Sequence, residues 1–227
     1  MNKIAKEVSS ELMSENQARA VVYNFLSSLF AKEVNQDLVS QLTSAQGQSF
    51  LSALALEPTL APSIKVISAE LAQLNSKESL LELAADFCGL FLVDGQTSVS
   101  PYAGQYITND LSNSDLSYGE AAKDKRKADK VQVFGELHQS MTEFLTTSNM
   151  QIHSDFPEPA DHIAVMLAYL GHLCLSASID DQISFIETYL MTWLSHFTQQ
   201  VTKHDAGHFY TAVAELTLAW SKLELNS

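Results

Sequence analysis

Residues 76–93, "SKESLLELAADFCGLFLV", decide the fold class. Ser76 is a residue type that caps helices, and Leu80, Leu81, Leu83, Ala84, Phe87, Cys88, Phe91 and Leu92 make the following run apolar nearly all round. This spacing predicts a helix buried at the centre of an N-terminal body. Asp86 is the exception. Glu78, Glu82 and Asp86 follow one another at i, i+4, so the three carboxylates share one face. That face is either the helix's wet strip or the place where Asp86 meets something functional.

Outward from this run, the same period recurs over most of the chain. Glycine (8) and proline (5) are scarce and two-residue alternation is hard to find, so the class is all-α. A first helix is predicted from Ser14 to Phe30, with Ser14 and Gln17 as a capping box. Two short helices over "NQDLVSQLTS" and "QSFLSALAL" precede Pro58 and Pro62, and a further one covers "SIKVISAELAQL". After residue 93 the chain is rich in Gly, Ser, Asn and Asp and reads as irregular. A charged helix from about Glu120 becomes amphipathic at Val131, and three helices follow at roughly 159–177, 179–200 and 205–223, with Ser178 capping the second. The expected organisation is a two-part helical bundle: residues 1–118, a hinge at 119–130, and residues 131–227. An exposed hinge between packed halves is a route for exchange, so a domain-swapped homodimer beside the monomer is expected.

Net charge is −14, distributed as −8 over residues 1–122, +3 over 123–130 and −9 over 131–227. Such a field repels nucleic acid and anionic lipid and favours a basic partner. Cys88 and Cys174 lie inside apolar helical patterns and read as free thiols. With no signal-peptide core and no run of about 20 apolar residues, a cytoplasmic location is expected, without stable membrane insertion.

The segment "DFPEPADHIAVML" (155–167) concentrates ionisable groups before an apolar run. Pro159 suits a first helical position, and Glu158 and Asp161 suit a helix N-terminus. His162 is unexplained by that reading, since a cation is disfavoured there; it is either a satisfied core histidine or a ring oriented by a carboxylate to meet a ligand. Asp161 and His162 could alternatively serve as the acid/base pair of a hydrolytic or nucleotide-binding enzyme. His204 and His208 stand at i, i+4, but no H-E-x-x-H accompanies them. Phosphate-loop, dinucleotide-binding and nucleophile-elbow motifs are missing from the sequence.

"LELAADFCGLFL" (81–92), "PYAG" (101–104) and "EPADH" (158–162), in that order and spacing, closely resemble the TorD family. The early "ARAVVYNFLSSLF" and the late "FIETYLMTWLSHF" extend the likeness over most of the chain. The resemblance implies a non-catalytic, all-helical, cytoplasmic chaperone for one molybdenum-cofactor oxidoreductase, with trimethylamine N-oxide reductase the implied client. It would hold the immature enzyme and its twin-arginine signal peptide until cofactor insertion. Carried over residue by residue, partner binding falls on Glu158, Pro159, Asp161 and His162, with Asp86 and Phe87 facing them across a groove. The family also implies weak guanine nucleotide binding, for which this sequence offers no phosphate loop. An acidic groove with an apolar floor would complement a signal that joins a basic head to an apolar stretch.

Overall fold

In the computed structural model, residues 3–93, 95–107 and 135–226 are described, with side chains in the first helix from Met13 onward. The expected hinge at 119–130 and the charged helix from Glu120 lie outside the described residues. Apart from one isolated bridge, the regular elements among the described residues are helices: α1 (Lys3–Ala31), α2 (Gln36–Thr43), α3 (Ala45–Leu54), α4 (Ala61–Gln73), α5 (Lys77–Phe87), α6 (Gly104–Ile107), α7 (Glu136–Thr147), α8 (Ile163–Ser176), α9 (Ile179–Phe185), α10 (Met191–His204) and α11 (Phe209–Glu224). The all-α expectation holds, and no helix among the described residues is long and apolar enough to cross a membrane.

The more completely buried helix is α8, not α5, with Leu175 and Ser176 at its end left exposed. Its sequence "IAVMLAYLGHLCLS" has no charged residue, and Ile163, Met166, Leu167 and Leu170 are fully enclosed. On α5 and its extension, by contrast, Leu81 is 58% and Leu92 60% exposed. The prediction for 80–93 failed because a run of leucines shows hydrophobicity but not how many neighbours are available to cover it. Helix α1 lies along α8. At their crossing Gly171 admits the Asn24 side chain, whose Oδ1 would stand 2.9 Å from a Cβ at that position. The Ser27 hydroxyl donates to the Ala164 carbonyl at 2.7 Å, tying α1 to the first turn of α8.

Helix ends follow local chemistry where the sequence writes it plainly. Ser76 and Ser79 form a reciprocal capping box at α5, and the Ser178 hydroxyl accepts from the Asp181 N–H at α9. Ser14 does not cap: α1 has already begun at Lys3, because nothing in "KIAKEVSSELMS" stops a helix. Both α5 and α9 run on into a π-helical turn, Cys88–Leu92 and Ile186–Leu190, so each long helix carries one residue more than its α-repeat needs.

One continuous core draws on both sides of 119–130. Phe30 of α1, Phe87 and Phe91 at the end of α5, Phe197 of α10 and Tyr210 of α11 interlock, with ring centroids 5.3–6.2 Å apart. Such pairs add stability beyond the area they bury. Cys174 is buried, Cys88 half-buried, and both are free.

The first and last helices are also joined by charge. The Arg19 Nε donates to Glu224 Oε1 at 2.9 Å, and the Tyr23 hydroxyl donates to Glu224 Oε2 at 3.2 Å. Both members of the ion pair are largely buried, at 11% and 5% side-chain exposure. Removing one partner of such a pair strands the other charge. Glu224→Gln is therefore expected to lower stability by about 3 kcal/mol, read as a lower urea midpoint at unchanged slope.

Candidate functional site

Pro157 and Pro159 remove two backbone donors and keep the residues before them out of the helical region. Helix α8 consequently starts later than predicted, at Ile163, and Pro159 and Asp161 lie before it rather than in its first turn. Residues 159–162 form a tight turn in which the His162 N–H donates to the Pro159 carbonyl at 3.0 Å.

The segment "PYAG" runs antiparallel beside that turn. The Ile163 N–H donates to the Pro101 carbonyl at 2.9 Å and the Ala103 N–H to the Asp161 carbonyl at 3.1 Å, making one isolated bridge between Tyr102 and His162. Asp161 is 2% exposed, and its Oδ2 accepts from the Gly104 N–H at 3.1 Å. Its carboxylate is thus a clamp on the backbone at the start of α6. The other oxygen, Oδ1, is 3.6 Å from His138 Nδ1, too far for a hydrogen bond. That nitrogen accepts from the Ala160 N–H at 3.1 Å, so it cannot also donate to Asp161.

His162 is the N-cap of α8. Its backbone is extended, φ −65° and ψ 137°, and Nδ1 accepts from the Ala164 N–H at 3.1 Å. The ring is held edge-to-face by Tyr102 at 5.3 Å and Phe156 at 5.1 Å and is 4% exposed. Burial pushes its pKa down to about 4, so it is neutral near pH 7. The objection to a cation at this helix end disappears, because no cation is there. Asp161 and His162 do not form an acid/base pair: each is committed to a backbone N–H elsewhere.

Glu158 and Pro159 are half-buried and form the accessible rim of this corner. The Tyr102 hydroxyl donates to Glu158 Oε2 at 2.5 Å. Burial and that bond push the phenol pKa well up, so Tyr102 stays a donor.

Asp86 and Phe87 belong to a different neighbourhood. Phe87 is buried against Phe91 and Tyr210, so it does not face a groove; its spacing on α5 places it on the core side. Asp86, half-exposed, lies beside Gly207, where a Cβ would come within 2.5 Å of its Oδ2. Burial first, then Asp205 and Glu82, raises its pKa. Asp86 and Phe87 meet Gly207, Phe91 and Tyr210, whereas Glu158, Asp161 and His162 meet Tyr102, Gly104 and Ala164. Three contributors went unforeseen, His138, Tyr102 as partner of Glu158, and Asp205 as partner of Asp86, because long-range pairing leaves no periodic trace in sequence.

His204 ends α10, and His208 has a left-handed backbone at φ 64° before α11, so the two do not share a helix face. Among the described residues, no group of three or more His, Cys, Asp or Glu side chains is placed to hold a metal ion.

Comparison with known proteins gives a consistent picture. The family described as Nitrate reductase delta subunit matches residues 57–199. A Chaperone protein TorD from Colwellia psychrerythraea is 60% identical over 99% of this chain and 97% of its own length. Another from Shewanella piezotolerans is 49% identical over 92% of each chain, and one from Shewanella amazonensis 33% over 99% and 97%. These relatives are named as chaperones, not as enzymes.

The depressed pKa of His162 sets a pH dependence. In the unfolded chain the imidazole takes a proton near pH 6.5, in the folded chain only near 4. The unfolded state therefore binds more protons between these values, and stability is lost as pH falls through that window. Between pH 7.5 and pH 5 the histidine accounts for a loss of about 2 kcal/mol. His162→Asn, which can still cap α8 but does not titrate, is expected to lose less stability over the same interval in paired urea titrations.

Proposed function

This chain belongs to the TorD family of chaperones, and we propose that it binds the twin-arginine signal peptide and immature body of one periplasmic molybdoenzyme before export. The client by this reading is trimethylamine N-oxide reductase, held in the cytoplasm while its cofactor is inserted. What carries the reading is likeness to TorD chaperones over essentially the whole chain. Charge supports it: a body of net charge −14 complements a basic signal head and speeds the encounter at low salt.

By this reading the expected site residues divide by job. Glu158, Pro159 and Asp86 are accessible and can touch a partner. Asp161, His162 and Phe87 are buried and act by positioning: Asp161 and His162 fix the corner that presents Glu158 and Pro159, and Phe87 anchors the end of α5 that presents Asp86. The +3 segment at 123–130 and a swapped dimer through it remain part of the proposal as features of residues outside those described.

Titration calorimetry with a synthetic signal peptide of the candidate reductase tests this. Saturable binding is expected, weakening as salt rises. Glu158→Gln is expected to weaken it several-fold at unchanged melting temperature, whereas Asp161→Asn is expected to lower both affinity and melting temperature. Absence of binding at micromolar protein would reject the reading.

A further inference from the structure

The first turn of α7 reaches the Glu158–His162 corner through His138. Met141 and Leu145 of α7 are buried, and Phe144 stacks on Tyr169 of α8 at a ring-centroid distance of 5.8 Å. His138 stands one and two turns before Met141 and Leu145, so it shares their inward face. Its side chain is 18% exposed, and Nδ1 accepts from the Ala160 N–H at 3.1 Å. Residues 101–104 hold the corner from Asp161 onward, through the Asp161 carbonyl and the Ile163 N–H. On residues 158–160 the backbone tie to another segment, among the described residues, is the His138 ring.

That bond fixes the chemistry of the ring. Nδ1 cannot carry a proton while it accepts from Ala160, so the ring in this arrangement is the neutral tautomer protonated on Nε2. Asp161 Oδ1 lies 3.6 Å from Nδ1, buried and without a hydrogen-bond partner among the described residues. An imidazolium would exchange partners, because its Nδ1–H repels the Ala160 N–H and finds an acceptor in that oxygen. The two arrangements exclude each other: α7 holds either the Ala160 backbone or the Asp161 carboxylate. Among the described titratable neighbours, Asp161 faces the ring, Glu158 accepts from Tyr102, and His162 is turned to the Ala164 N–H. Tyr106 of the adjoining α6 donates to the Ser100 carbonyl, and Glu136 is exposed on the outer side of α7.

We propose that His138 is a positioning residue for client docking: by accepting from Ala160 it fixes, from α7, the turn that presents Glu158 and Pro159, and it gives up that hold when protonated. The docking rests on the signal-peptide reading above; the hold on Ala160 rests on the geometry alone.

The test compares the whole wild-type chain with His138→Asn and His138→Ala. Asparagine offers a neutral oxygen as acceptor and does not titrate. Two quantities are measured at about pH 7.5 and about pH 5.5, across the range in which histidine changes charge: hydrogen-exchange protection of the Ala160 amide, and calorimetric affinity for the synthetic signal peptide. At the higher pH the amide is expected to be protected in wild type and His138→Asn and unprotected in His138→Ala. Peptide affinity is expected to fall about fivefold in His138→Ala and to be restored in His138→Asn. At the lower pH wild type is expected to lose protection and affinity that His138→Asn keeps; His162, common to all three proteins, cancels from the comparison. Equal protection of Ala160 in all three, wild-type affinity in His138→Ala, or a parallel fall of wild type and His138→Asn with pH would overturn the proposal. Should His138→Ala fold poorly, wild type against His138→Asn across pH carries the test. If the peptide binds none of the three, the signal-peptide reading falls, and Ala160 protection still decides whether His138 holds the corner.

Discussion

Helix α8 has no polar face, and the remaining architecture answers that constraint. A segment reading "IAVMLAYLGHLCLS" needs neighbours on most of its surface, and only Leu175 and Ser176 at its end are left exposed. Helix α1 supplies the largest of those neighbours, admitted closely at Gly171, and Phe185 of α9 packs at a tilt against Tyr169 from another side. That burial includes its first turn, Ile163 to Met166. The exposed N–H groups at that end must then be met by protein groups, and the His162 imidazole and the Tyr102 strand meet them. A helix entrance that looked functionally overloaded is, in its inner half, the termination chemistry of a buried helix.

That inner half is not without consequence for partners. By holding residues 101–104 against 158–163, Asp161 and His162 present Glu158 and Pro159 at a rigid corner with Tyr102. If the proposed docking falls on this corner, little conformational entropy is left there to lose on binding. Saturation is not complete in either place: Asp161 Oδ1 at this corner and Asp205 Oδ1 beyond α10 are both buried without a hydrogen-bond partner among the described residues.

Much of this was legible in one dimension. Helical class, the boundaries at Ser76 and Ser178, and the two free thiols followed from periodicity and capping chemistry, which act over three to five residues. The order of the three family motifs pointed to the chaperones. Burial did not follow: Leu81 and Leu92 look as apolar as Leu167 and Leu170, yet face solvent. Phe87, expected to face a groove beside Asp86, turns into the core because adjacent residues on a helix point about 100° apart.

The sequence by itself determined that the chain is helical, where α5 and α9 are capped and that the body is strongly acidic, because each of these depends on neighbours along the chain. Only the tertiary structure decided that His162 is a neutral cap rather than a ligand or a base. It alone decided that Asp161 serves a backbone N–H, and that Asp86 has Asp205 as its companion. Those roles depend on which oxygen, ring or amide arrives from a distant segment, and on how completely water is excluded when it does.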